Sequence, residues 1–145
     1  MKKFILLLII LASGIMAAGQ NSIYLTYRPN DMGIGARIER VKKNVGIYVA
    51  YTRGEYSLGE TCFKKHNGYS IGIIHNIEDY SFISAGMNYN YYSTEKIPDY
   101  INPKAFKPIS IELGTGIRVE WFVVALRIDI IKWEPVLDTG INFYF

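Results

Sequence analysis

Apolar and polar residues alternate one by one along most of the chain after residue 20. Near the C-terminus, one face of this pattern carries Leu137, Thr139, Ile141, Phe143 and Phe145, while the residues between them are polar, aromatic or small. A period of two predicts β-strands with one apolar face. No stretch after residue 20 shows the 3.6-residue period of an amphipathic helix, and no second apolar run is long enough to span a membrane as a helix.

The alternation predicts about eight strands joined by connections of unequal length. Short connections are predicted at 41–44, 78–79 and 119–120, and long ones at 56–67 and 93–107. In an up-and-down arrangement all short connections fall at one end and both long ones at the other, as is typical of membrane β-barrels. The predicted strands are 23–28, 32–39, 45–53, 69–75, 81–92, 109–118, 122–130 and 137–145.

The second face of the strands indicates which side meets lipid. It carries a few charges and many glycines, namely Gly33, Gly35, Gly46, Gly72, Gly86, Gly114, Gly116 and Gly140. Small residues fit a crowded interior better than a surface exposed to water, so the apolar face is predicted to point outward into lipid. Aromatic residues, 14% of the chain, cluster near strand ends as in interfacial girdles. The sequence therefore predicts an all-β, antiparallel up-and-down transmembrane β-barrel.

The first residues have the pattern of a secretory signal peptide. Lys2 and Lys3 precede an apolar run from Phe4 to Met16, and small residues follow it. We expect cleavage before Gln20, which gives a signal peptide at 1–19 and a barrel domain at 20–145. Removing the two lysines lowers the formal charge from +3 to +1, with 14 basic and 13 acidic residues left, so nothing indicates nucleic acid as a partner.

Together with the signal peptide and the alternating strands, the terminal Asn142-Phe143-Tyr144-Phe145 resembles the small outer-membrane barrels typified by the OmpA-like and OmpX-like proteins. The resemblance covers nearly all of the mature chain. It implies insertion into outer-membrane lipid of a bacterium and reading of Ile141, Phe143 and Phe145 by the barrel-assembly machinery. No peptidoglycan-binding domain is appended, unlike in the best-known members.

The charged residues of the second face are predicted to plug the lumen. A two-residue turn at Val119-Glu120 would set Glu112 opposite Arg127, and one at Glu134-Pro135 would set Asn142 opposite Arg127. An eight-stranded barrel is only wide enough for its own side chains, so steady ion conductance is not expected. The alternative is a wet pocket open at one end. The predicted polar network comprises Arg37, Glu39, Glu112, Arg127, Asp129 and Asn142.

No residues form a convincing catalytic, metal or cofactor site. His66 with Ser57, Ser70 or Ser93 could serve a lipid-modifying enzyme only by assumption, and His66 and His75 are too far apart along the strands to share a metal. Gly33-Ile34-Gly35 and Gly114-Thr115-Gly116 lack the third glycine and the helix of a dinucleotide site. The single cysteine, Cys62, cannot form an internal disulfide, and a reactive thiol beside Lys64 and Lys65 is the less favoured interpretation.

These observations favour a non-enzymatic barrel with a structural or surface-interaction role. Its possible surface partner would meet the loops at 56–67 and 93–107. Three alternatives stay open: a lipid A-modifying enzyme of the same fold, a narrow pore, and a soluble secreted barrel with an apolar ligand.

Overall fold

The computed structural model describes residues 20–29, 31–40, 44–57, 63–92 and 108–144, and these form one closed antiparallel barrel. Each strand pairs with the next in sequence, and the last pairs with the first, which confirms the predicted fold. Among these residues no helix is long and apolar enough to cross a membrane. The strands are β1 (Gln20–Arg28), β2 (Asp31–Arg40), β3 (Val45–Ser57), β4 (Phe63–Glu78), β5 (Ser81–Tyr92), β6 (Ile109–Val119), β7 (Phe122–Asp129) and β8 (Glu134–Tyr144).

The inner end of the barrel, as we call it, carries the connections β2–β3, β4–β5 and β6–β7. Two of them are two-residue turns, at Asp79-Tyr80 and at Glu120-Trp121, so the turns predicted at 78–79 and 119–120 are wrong by one residue. Glu120 adopts a φ of 50°, a conformation that glycine and asparagine usually mark in a sequence. The one-residue error moves the β6–β7 register by two residues.

The outer end carries the other four connections. The turn predicted at Glu134-Pro135 is wrong, because both residues belong to β8 and the chain reverses over residues 130–133. Asp129 stabilises this turn: its Oδ1 accepts hydrogen bonds from the backbone N–H groups of Ile131 and Lys132, both at 3.1 Å. An aspartate that caps a turn in this way is a weaker sequence signal than a proline.

The long connection predicted at 56–67 is mostly strand. Backbone pairing of β3 with β4 continues to Ser57 opposite Phe63, so this hairpin extends further at the outer end than its neighbours. The alternation of apolar and polar residues fades there, since Lys64, Lys65 and His66 follow one another on β4. Residues 58–62 and the predicted loop at 93–107 lie outside the described residues, as do the predicted signal peptide and Phe145.

The register of the strands sets the width of the barrel. Following paired residues from Arg40 through β3 to β8 and β1 leads back to β2 at Met32, eight residues away. Eight strands with a stagger of eight is the geometry of the TIM-barrel sheet, in which strands tilt by about 36° and side chains fill the interior. Each residue then adds about 2.7 Å of height. The outward residues from Tyr69 to Ile77 therefore cover about 22 Å, close to the apolar band of membrane barrels.

Candidate functional site

The two faces of the barrel wall have opposite chemistry. On β7, Leu126 is 49% exposed while the next residue, Arg127, is 1% exposed. This alternation confirms that the apolar face points outward and the polar face inward. A soluble barrel with an apolar ligand needs the reverse arrangement, so that alternative is wrong. The described residues with buried charged side chains are Arg28, Asp31, Arg37, Glu39, Glu112, Arg118, Arg127, Asp129 and Asp138.

Five of these side chains form a chain of alternating charge, which we call the central cluster: Arg28, Glu112, Arg127, Asp138 and Arg37. Arg127 donates to Glu112 Oε2 and, at 2.8 Å, to Asp138 Oδ1. Arg28 bonds the other oxygen of Glu112, and Arg37 Nη2 donates to Asp138 Oδ2 at 2.6 Å. Each carboxylate is thus shared by two guanidinium groups, the geometry for which the planar arginine fork is suited.

Uncharged polar groups complete the outer side of the central cluster. Ser70 Oγ accepts from Arg28 at 3.3 Å and lies 3.4 Å from Glu112 Oε1. Asn88 Nδ2 donates to Asn90 Oδ1 at 3.0 Å, and Thr26 Oγ1 accepts from Arg127 at 3.3 Å. Ser70 and Thr26 thus give Arg28, Glu112 and Arg127 further partners. Among the described residues, Arg28 Nε, Arg37 Nη1 and Arg127 Nε are buried without a hydrogen-bond partner.

A second, smaller group lies at the inner end, and we call it the inner cluster: Arg118, Glu39 and Asn76. Arg118 Nη2 bonds Glu39 Oε2 and donates at 2.6 Å to Asn76 Oδ1. It borders a cavity of about 560 Å³ that is lined by Gln20, Asn44, Asn76, Ile77, Glu78, Asp79, Tyr80, Arg118 and Glu120. The inner cluster therefore lies beside open space, whereas the central cluster is enclosed.

Aromatic rings separate the two clusters. Phe82 lies between them, with the guanidinium carbons of Arg37 and Arg118 at 4.9 and 4.7 Å from its ring centroid. In the same way, the guanidinium carbon of Arg37 lies 4.4 Å from the ring centroid of Tyr24, and that of Arg127 lies 4.8 Å from the ring centroid of Tyr48. Cation–π contacts of this kind stabilise buried cations that still need partners.

Glycines make room for these rings. The ring of Tyr24 lies against the inner surface of the barrel wall at Gly35, where a Cβ would clash with the ring. Gly72 and Gly86 leave the same space for Tyr48. The small residues on the inner face thus allow large side chains to lie flat across the lumen, which is how a narrow interior is filled.

All six residues of the predicted polar network are buried, but the predicted register is wrong. Glu112 pairs with Asp129 and Arg127 pairs with Val136, so neither predicted partner is directly opposite Arg127. Arg127 still reaches Glu112 diagonally, while Asn142 lies at the inner end, where its Nδ2 donates to the carbonyl oxygens of Phe122 and Glu120. The amide predicted beside Arg127 is replaced by the carboxylate of Asp138.

Three charged residues of the two clusters were not included in the predicted polar network: Arg28, Arg118 and Asp138. The alternation places Arg118 and Asp138 on the polar face, but which residue each one meets depends on the register of strands that are distant in sequence. Arg28 ends β1 and bonds Glu112 on β6 across the lumen. Only the closed barrel brings these residues together.

The residues considered for catalysis do not come together in the described part of the chain. Ser70 lies in the lumen beside the central cluster, and His75 is exposed on the outward face near the inner end. The side chains of Ser57 and His66 are outside the described set, as are Ser93 and Cys62. No group of three His, Cys, Asp or Glu residues among those described could hold a metal ion.

At the outer end, Lys132 lies in the turn between β7 and β8. Burial lowers the pKa of Lys132, and the nearby carboxylates of Glu134 and Asp129 oppose that shift. These residues border the outer mouth of the lumen beside Arg28, so charges of both signs occur there.

Solved structures show what this barrel is similar to. The outer membrane protein Ail of Yersinia pestis, solved in a phospholipid bilayer nanodisc, is 15% identical with a TM-score of 0.53, over 86% of this chain and 99% of that one. The designed barrel TMB2.3 is 13% identical with a TM-score of 0.50, over 90% and 97%. Neisserial surface protein A also matches, at 16% identity and a TM-score of 0.43, over 88% and 96%. No family model matches the sequence, and no curated protein matches it.

Proposed function

This chain has the fold of the small eight-stranded outer-membrane barrels, and from that premise we propose that it is a non-enzymatic outer-membrane protein with a closed lumen. In this proposal the signal peptide at 1–19 is removed on export, and the barrel presents its outer end at the bacterial surface. The outward apolar wall supports insertion, because lipid accepts apolar side chains and a closed barrel satisfies its own backbone.

The observation that carries the closed lumen is the central cluster. Arg28 on β1 bonds Glu112 on β6 across the interior, and Glu112 also bonds Arg127 on the neighbouring strand; Glu112 and Arg127 are 0% and 1% exposed. An ion that crossed the barrel would have to break this chain of paired charges and pass the rings of Tyr24, Tyr48 and Phe82. The stagger of eight supports the same conclusion, since barrels of that geometry have packed interiors.

The inner end of the lumen is different. The cavity beside Arg118 corresponds to the wet pocket that the sequence analysis left as an alternative. Phe82 lies between Arg118 and Arg37, so in this proposal the cavity is a vestibule that does not continue as a pore through the central cluster. We therefore propose a lumen that is hydrated at the inner end and closed in the middle.

The outer end is the proposed interaction surface. Four connections meet there, and the β3–β4 hairpin extends beyond the neighbouring strands. Loops held on a rigid barrel are suited to binding because their sequence can vary without cost to the fold. We propose that a surface partner meets the segments 56–67 and 93–107. For assembly, we propose that Ile141, Phe143 and Phe145 form the signal for the barrel-assembly machinery. The outward positions of Ile141 and Phe143 support this.

Conductance in planar bilayers tests the closed lumen. We expect no steady current from the unmodified protein, and single-channel steps from a triple variant in which Glu112, Arg127 and Asp138 are all replaced by serine. The triple variant shows that the assay detects an opened barrel, and slower migration in a gel after boiling verifies folding of both proteins. Stable steps from the unmodified protein would make a narrow pore the leading function.

Lipid A analysis tests the absence of enzymatic activity. The hydroxyl of Ser70 lies in the lumen and not on a lipid-facing rim, so it is poorly placed to attack an acyl chain. We expect the same lipid A mass profile in cells with and without the protein. A gain or loss of one acyl chain on expression would favour the enzyme instead.

A further inference from the structure

An arginine and a histidine interrupt the apolar outward wall at the inner end. Arg40 ends β2, His75 lies on β4, and both are exposed on the outward face. Val45 of β3 lies between them, paired with Arg40 on one side and with His75 on the other. Two strand spacings separate the Cα atoms by about 10 Å, a gap that the long arginine side chain can bridge.

The surroundings of this pair are apolar. Ile73 and Ile77 flank His75 along β4, and Ile83 is its partner on β5; these three side chains are 60%, 57% and 46% exposed. The acidic residues nearest in sequence are Glu39, which is buried in the lumen, and Glu78, which lines the inner cavity. On the four strands from Arg40 to Ile83 the described outward positions carry no carboxylate, so the pair has no anionic partner among the described residues of this face.

Because the strands tilt, His75 lies about 5 Å further into the apolar band than Arg40. The stem of Arg40 can follow the wall over Val45 while its guanidinium stays at the interface. Both groups can then donate hydrogen bonds to one anion above Val45, since imidazole keeps one N–H in either neutral tautomer. An anion at this depth, against an apolar wall, is a phosphate that carries acyl chains.

We propose that Arg40 and His75 bind the phosphate of one anionic phospholipid, of the phosphatidylglycerol class, with its acyl chains lying along Ile73 and Ile83. A zwitterionic ethanolamine headgroup would bring an ammonium close to the guanidinium of Arg40, which repels it. The site should therefore prefer the anionic headgroup. The proposal rests on insertion into a membrane and is independent of the closed lumen and of the outer loops.

Native mass spectrometry measures this preference directly. The full mature protein is released from mixed micelles that contain phosphatidylglycerol and phosphatidylethanolamine in equal amounts with matched acyl chains. We expect one phosphatidylglycerol to be retained in preference. The double variant Arg40→Met/His75→Phe should lower the preference about fivefold, the effect of one cation near a lipid surface. Both substitutions place apolar side chains against lipid, so the barrel should still fold.

Arg53→Met is the matched control. Arg53 is an exposed arginine on β3, the same strand as Val45, but it lies at the outer end. We expect this variant to keep the preference. Equal retention of both lipids by the unmodified protein would overturn the proposal, as would an unchanged preference in the double variant or an equal loss in Arg53→Met. Loss of the folded band in an unboiled gel would instead count against membrane insertion itself.

Discussion

Leu126 and Arg127 are neighbours on β7, and they meet opposite environments. Leu126 points outward among other apolar side chains, whereas Arg127 bonds two carboxylates and lies over the ring of Tyr48 inside the barrel. In a water-soluble barrel the two residues would exchange places. The difference shows that an apolar surface and a charged core are compatible with one stable fold when the backbone closes on itself.

The interior also differs between its two ends. In the central cluster, charges alternate and each carboxylate serves two arginines, while the inner cluster has one principal ion pair beside a cavity. Desolvated charges need complete pairing, whereas charges near open space can be hydrated. Substitutions on the two faces of the wall and at the two ends of the lumen should therefore differ in cost.

Arg127→Ala should have the largest effect. It leaves Glu112 and Asp138 each with one arginine fewer in an enclosed interior, so we expect the free energy of unfolding in lipid vesicles to fall by about 3 to 5 kcal/mol. Urea titration followed by tryptophan fluorescence measures the change. Arg53→Ala, an exposed arginine, is the control and should stay within about 0.5 kcal/mol. A loss below about 1 kcal/mol for Arg127→Ala would mean that water already hydrates the central cluster.

Adding a charge on the outward face should lower the stability somewhat less than removing Arg127 from the interior. Leu126→Arg places an arginine on the outward face, one residue before Arg127 and toward the middle of the apolar band. We expect the free energy of unfolding to fall by about 2 to 4 kcal/mol, or assembly to be blocked. Ile128→Arg, two residues nearer the outer end, should be less severe. Heat-dependent gel migration and urea titration check both variants. Full tolerance of both would show that this face does not meet lipid.

The sequence predicted the fold because alternation, small residues on one face and unequal connections are local signals. All eight strands and the face of each side chain follow from them. The contacts between side chains inside the lumen could not be predicted as well, because they depend on the strand register that the turns set. Glu120 adopts a left-handed conformation, although no glycine marks this turn in the sequence. Asp129 caps the turn between β7 and β8, whereas Pro135, the stronger turn signal in the sequence, lies inside β8. Those two turns decide which residue Arg127 meets.

Arg118→Ala tests the contrast between the two ends of the lumen. It removes the cation from Glu39, but the cavity beside Arg118 lets water approach the remaining carboxylate. We expect a loss of about 1.5 to 3 kcal/mol, smaller than for Arg127→Ala in the same vesicles. Parallel urea titrations compare the two variants. A larger loss for Arg118→Ala than for Arg127→Ala would mean that the inner cluster is the less hydrated of the two.

The smallest effect should come from removing one hydroxyl on each face. Tyr24, which is 1% exposed, donates from its OH to the carbonyl oxygen of Val49 at 3.1 Å inside the barrel. Tyr51 donates to Asn67 Oδ1 at 2.8 Å on the outward face near the outer end, where its ring lies 5.4 Å from that of Tyr69. Water and lipid headgroups can replace the bond of Tyr51, but no solvent reaches Tyr24. We therefore expect Tyr24→Phe to lower the free energy of unfolding by about 1 kcal/mol and Tyr51→Phe by less than about 0.5 kcal/mol. Both substitutions keep the ring, so packing over Gly35 and against Tyr69 is unchanged. Equal losses would show that the interior around Tyr24 is as wet as the interface.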